Sequence, residues 1–355
     1  MDISAIIITF ADMERINWID WGKCVCMTMV VFVHLPQHGD SFVLRYCSSV
    51  VLASFFFISG YLKKPTSSVK SALRKYWNTL LLPYLAYNLL FFPYWLVRRL
   101  MENPEPLSFA TVLKPVAGVF LPQLNSPFSC ELNGITWFLI ALFLMHLIAD
   151  LCQHIRHGNM LLLLLCLVTI VLYGANKYYH YAPNLTYNGF VRCLTFYAMG
   201  HLFRQRGLWT TGRPRRCLAT ALLALSLSIA VFYWHIHESH FVLHIALFYV
   251  VNILSVFGIL GLCRTASPYR SGVVVLVSTG TMVIMGLHPM VIGCINFALE
   301  HLLAVCPIYY STLESVGLAL AIVAMLLPVI LLCIRRYPLL LGKRNHRVLP
   351  IEAAR

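Results

Sequence analysis

The sequence predicts an all-α fold, a polytopic bundle of about ten membrane-spanning helices. Three observations carry this. Hydrophobic residues make up 59% of the 355 and charged ones only 11%, with a mean hydropathy of +0.76, which no soluble globular chain of this size shows. Apolar runs long enough to cross a bilayer recur along the whole length. The runs are continuous rather than alternating. Because backbone groups in lipid must pair internally, helices are favoured over a barrel. The chain reads as one integral membrane domain over 1–355, with a short basic tail at 335–355.

Taken in order, the spans run about 17–36, 42–62, 79–97, 135–152, 159–175, 189–203, 217–235, 241–262, 277–304 and 313–334. The sixth is short and carries Arg192. The ninth is long enough to be tilted or broken near His288-Pro289. Lys and Arg then sort by side. Arg15, the Lys63–Lys75 and Arg204–Arg216 groups, Arg156, Arg264, Arg270 and the tail fall on one side; Arg98, Arg99, Lys114 and Lys177 fall on the other. By the positive-inside rule both termini are cytoplasmic, in a plasma or cell inner membrane. The same asymmetry explains most of the net charge of +14, so no nucleic-acid partner is called for.

The one long external segment, about 98–134, is proline-rich. Its apolar piece 107–121 contains Lys114-Pro115, is too short to span, and is expected in the interface. Twelve scattered cysteines include no Cys-x-x-Cys and offer no metal site. Nothing resembles a signal peptide at the N-terminus, a soluble catalytic domain or a repeat. Chemistry therefore belongs in or beside the helices.

The first span holds the most informative pattern. Lys23 opens a run of ten uncharged residues that His34 closes. Eleven residues are about three helical turns, so Lys23 and His34 share a face, about 16 Å apart along the axis, with Asp20 about 40° off the line. Intramembrane ionisable residues mark functional sites by default. The plainer reading makes Asp20 and Lys23 an i, i+3 ion pair at a helix end and His34 a hydrogen-bonded interior residue. His288, Arg45 and Arg192 are the other intramembrane ionisable residues of note, with the two arginines expected to face the bundle interior. Glu300 and His301 read as interface residues, and Trp95 and Trp137 as belt or packing residues.

Several segments resemble the membrane acyltransferase-3 family in the right order. They are Asp20-x-x-Lys23 with ten residues before His34; Ser54-Phe-Phe-Phe-Ile-Ser-Gly-Tyr61, which includes Ser59; Leu81-Leu-Pro-Tyr84; Ile135-Thr-Trp-Phe-Leu139, which includes Trp137; Phe196-Tyr-Ala-Met-Gly200; and Thr279 to Pro289, ending Leu-His-Pro. Asn17-Trp-Ile-Asp-Trp21 is similar to the opening of the sugar O-acetylase branch. The chain departs from the Arg-x-x-Arg pair of many members, since Arg74 is followed by Lys75-Tyr-Trp.

The resemblance implies an O-acyltransferase, here an acetyltransferase, taking acetyl from cytoplasmic acetyl-CoA to a sugar hydroxyl of a cell-surface or exported glycan or glycolipid. His34 would be the base for the hydroxyl proton, and Lys23 a cation for a phosphate or for developing charge, with Asp20 beside it. Lys64, Arg74 and Lys75 would bind the phosphates of the acyl-CoA donor, although the positive-inside rule explains them equally. His288, Arg45, Arg192, Ser59 and Trp137 would bind substrate or support the site. The rival reading is a multi-span transporter or flippase of a polar or anionic solute, which buried charges and broken helices also suit.

Overall fold

A computed structural model describes residues 15–37, 41–102, 108–120, 132–181, 183–209, 214–304 and 308–343. Among these the fold is all-helical. Its α-helices are α1 (Asn17–His34), α2 (Phe42–Tyr61), α3 (Val69–Tyr76), α4 (Leu82–Glu102), α5 (Phe109–Phe120), α6 (Trp137–Gln153), α7 (Gly158–Tyr178), α8 (Leu185–Gln205), α9 (Pro214–His235), α10 (Phe241–Thr265), α11 (Gly272–Thr279), α12 (Thr281–Leu302) and α13 (Thr312–Arg336). Eight helical segments are long and apolar enough to cross a membrane. Helices α1 and α8, at 18 and 21 residues, occupy the remaining two of the ten expected runs. They are long enough but more polar: α1 carries Asp20, Lys23 and His34, and α8 carries Asn188, Arg192 and His201.

Two compact units form, residues 59–202 and the remainder. In the unit built from both chain ends, α1 packs against α10, α11, α12 and α13. Trp18, Ile19, Met27, Val31 and Phe32 are buried in these contacts, which in a bilayer are held by van der Waals packing rather than by removal of apolar surface from water. Small residues set the closest approaches. A Cβ added at Gly261 would lie 2.8 Å from the Ala221 side chain, so α9 and α10 run in near backbone contact. Tyr310 donates its N–H to the Pro36 carbonyl at 2.9 Å, tying the chain after α1 to the entry of α13.

The ninth expected span does break, but not at His288-Pro289. The helix is interrupted at Gly280, between α11 and α12, and runs unbroken through Pro289. A Cβ at Gly280 would fall 2.3 Å from Ile330 of α13, so only glycine lets the bend seat there.

In the unit of residues 59–202, α3 starts at a capping box on Ser68 and continues through one π-helical stretch, Trp77–Leu81, into α4. The third expected span, about 79–97, is thus part of a longer continuous helix over Val69–Met101. Helix α5 covers the apolar piece expected in the interface. At 12 residues it is too short to span, and the Tyr84 hydroxyl holds it by donating to the Val119 carbonyl at 2.7 Å. Gly60 sits where a Cβ would come within 2.0 Å of the Tyr197 carbonyl of α8, which explains the Ser-Gly pair at the end of α2.

Candidate active site

Helix α1 places its stripe as the spacing requires. Because α1 is continuous from Asn17 to His34, Lys23 and His34 remain about 16 Å apart along the axis. A small acyl group cannot touch both at once.

At the C-terminal end of α1, His34 is exposed, and its Nδ1 lies 2.7 Å from the Val30 carbonyl. A carbonyl only accepts, so Nδ1 carries the hydrogen and the neutral ring presents a lone pair at Nε2. His288 of α12 is fully buried and makes the same bond to the Ile284 carbonyl, at 2.8 Å. Its Nε2 has no partner among the described residues. The two rings meet edge to face, with centroids 5.1 Å apart and planes at 64°. Nδ1 bonds to the carbonyl four residues back also occur at His154, His237 and His301, so that bond alone marks nothing. The distinguishing feature is the pairing of two such rings, neither Nε2 having a partner among the described residues.

At the other end of α1, Asp20 is buried and does not lean on Lys23. It takes Arg15 in a two-point pair, Nη2 to Oδ1 at 2.9 Å and Nε to Oδ2 at 3.1 Å, and accepts from the Ser278 hydroxyl at 2.5 Å. Arg15 also donates to the Thr279 hydroxyl at 3.1 Å. Lys23, half-buried, makes no hydrogen bond or ion pair among the described residues. Arg45, in the first turn of α2, is exposed, contrary to the expectation that it faces the interior; a place near the helix end lets its long side chain reach out.

The remaining candidates lie in the unit of residues 59–202. Lys64, Arg74 and Lys75 are all exposed, Lys75 lying 5.2 Å over the Tyr76 ring. Arg192 and Ser59 are half-buried. Trp137 covers Gly189 so closely that a Cβ there would come within 1.9 Å of its ring, which makes it a packing residue.

Sequence reasoning missed a buried polar network in this unit. Lys63, grouped with the basic segment, turns inward and donates to Asp150 Oδ1 at 2.6 Å and Gln153 Oε1 at 3.0 Å. The Tyr76 hydroxyl donates to Asp150 Oδ2 at 2.5 Å, Tyr76 stacks on His146, and His146 Nδ1 pairs with the Tyr197 hydroxyl at 2.7 Å. Burial pushes the Lys63 ammonium down against the opposing pull of Asp150. The signal was available: Asp150 is the sole charged residue in the apolar run Trp137–Gln153. No group of His, Cys, Asp and Glu among the described residues has the makings of a metal site.

A family model described as an acyltransferase domain matches residues 16–335. No curated protein and no solved structure gives a match.

Proposed function

The chain belongs to the acyltransferase-3 family, and from that premise we propose that this membrane acyltransferase moves acetyl from acetyl-CoA to a hydroxyl of a cell-surface or exported glycan. The observation that carries the reading is the exposed His34 ring, its Nδ1–H held by the Val30 carbonyl and its Nε2 left to take a proton. In the proposed step the glycan oxygen attacks the thioester carbonyl carbon. The hydroxyl proton passes to His34 Nε2, the carbon–sulfur bond breaks, and coenzyme A leaves as the thiolate. That thiolate collects the proton from His34, so the imidazole ends neutral, the glycan carries an ester and the free thiol departs. A positioned base of this kind contributes about 10² to 10⁴-fold. His288, buried beside His34 and with no partner at its Nε2 among the described residues, supports the ring that changes charge.

Lys64, Arg74 and Lys75 are assigned to the donor's phosphates, a reading their exposure supports. Both termini are placed on the cytoplasmic side of the plasma or inner membrane, where coenzyme A is available. The test is turnover: purified protein, acetyl-CoA and candidate glycans, followed by free-thiol release and by mass spectrometry of the glycan. We expect thiol release that depends on the glycan and a matching gain of one acetyl. Acetyl appearing on no glycan, with thioester consumption at the uncatalysed rate, would overturn it.

A further inference from the structure

A ring of contacts closes around the end of α1 that carries His34. Pro36 and Gln37 follow that histidine, and both are tied to the stretch before α13. Tyr310 donates its N–H to the Pro36 carbonyl at 2.9 Å and pairs with Gln37 in a single parallel bridge. Ser41 and Thr312 add a bond between their hydroxyls at 3.1 Å. From Tyr310 the ring passes to α12, because the Tyr310 hydroxyl donates to Asn296 Oδ1 at 2.8 Å. Eight residues back along α12 stands His288, whose ring meets that of His34 at 5.1 Å. His34, Gln37, Tyr310, Asn296 and His288 thus form one closed circuit.

The far side of this circuit is neutral and rich in hydrogen-bonding groups. Eight helical residues rise about 12 Å and turn about 80°, so Asn296 stays on the side of α12 that brings His288 to His34. Gln37 donates its Nε2–H to the Phe32 carbonyl at 3.0 Å, which fixes the amide over the end of α1. Its Oε1 is buried, with no partner among the described residues. A buried acceptor without a donor costs about 1–3 kcal/mol, which a hydroxyl reaching it returns. Asn296 and Tyr310 are half-buried, and with Oδ1 engaged Asn296 offers its Nδ2 hydrogens. Amides and a phenol both donate and accept, as sugar hydroxyls do; a phosphate or carboxylate would call for cations.

We propose that Gln37, Tyr310 and Asn296 form a second acceptor subsite, which holds the sugar next to the one acetylated at His34. The assignment rests on the glycan reading above and deepens it. A ligand that reaches from the histidine pair to Asn296 has to carry hydroxyls over about 12 Å. The acceptor is therefore an oligosaccharide or polymer, and not a single sugar or a lipid alcohol with one hydroxyl. Neither Tyr310 nor Asn296 takes part in the chemical step; they bind and position.

The experiment measures acetyl transfer from acetyl-CoA by purified full-length protein in nanodiscs, with two acceptors. One is surface glycan extracted from cells lacking the protein and cut to short oligosaccharides. The other is the same material hydrolysed to single sugars. Wild type should favour the oligosaccharides about tenfold or more in kcat/KM. Tyr310→Phe, which removes one hydroxyl, and Asn296→Leu should each cut that preference about five- to tenfold, the scale of one lost neutral hydrogen bond, and do so through KM. Equal transfer to both acceptors by wild type overturns the subsite. So does an unchanged preference in either variant, and so does a proportional loss on both acceptors, which marks a purely structural role; the acetyl-transfer reading stands in each case. A wild-type protein that transfers acetyl to neither acceptor overturns both readings together.

Discussion

Replacing Lys63 by Met would strand a carboxylate. Lys63 and Asp150 are both 0% exposed at the side chain and 2.6 Å apart, with Tyr76 holding the second carboxylate oxygen. Removing one partner of a buried pair costs about 3–5 kcal/mol, because the other charge stays buried without compensation. The Tyr76 bond to Asp150 survives and recovers part of this, so Lys63→Met should fall near the lower end, about 3 kcal/mol. Asp150→Leu should cost at least as much, since it leaves the Lys63 ammonium with Gln153 Oε1 alone among its present partners.

The double variant Lys63→Met, Asp150→Leu removes both charges and fills the space with apolar atoms. It should recover most of the loss, giving a coupling of about 2 kcal/mol or more. Unfolding of the purified variants in one detergent, followed by tryptophan fluorescence against temperature and denaturant, measures this. Additive losses in the double variant, or a Lys63→Met protein within about 0.5 kcal/mol of wild type, would refute the buried-pair reasoning.

Three further outcomes are expected. Gly60→Ala should destabilise by at least about 1–3 kcal/mol, because its new Cβ would meet the Tyr197 carbonyl at 2.0 Å, backbone against backbone; an unchanged unfolding midpoint would disprove the close crossing. A cysteine at the exposed Ser108 should react with an impermeant maleimide from outside intact cells, and labelling only after permeabilisation would invert the topology. Changing Lys64, Arg74 and Lys75 together to Gln should weaken acetyl-CoA binding; unchanged affinity with altered insertion would return them to membrane sidedness.

The helices were legible because length and hydropathy decide them, and the α1 stripe because helical periodicity is local. The break at Gly280 was not. Pro289 signals a helix breaker in sequence, yet inside a packed helix the neighbours keep the helix continuous, and the interruption falls instead where Ile330 of α13 presses on a glycine. Asp20 illustrates the same limit. Its i, i+3 neighbour Lys23 was the natural partner by spacing, but Arg15 precedes the helix and folds back onto it with two bonds. Lys63 and Lys64 are adjacent and equivalent in sequence; one is buried against Asp150 and the other exposed, because only the tertiary fold brings α6 to the end of α2. Lys343 lay in a tail read only as short and basic; it is half-buried, and the left-handed Gly342 just before it carries no signal beyond the glycine itself.

His34 bears the central claim. The most direct measurement is the acetyl-transfer rate of His34→Gln, which keeps polarity but cannot take a proton, in protein shown by its unfolding profile to be inserted and folded. We predict a loss of about 10² to 10⁴-fold with coenzyme A binding retained, since the change leaves the basic residues proposed for the donor's phosphates untouched. Transfer at the wild-type rate by that variant would remove His34 from the chemistry and turn the search to His288.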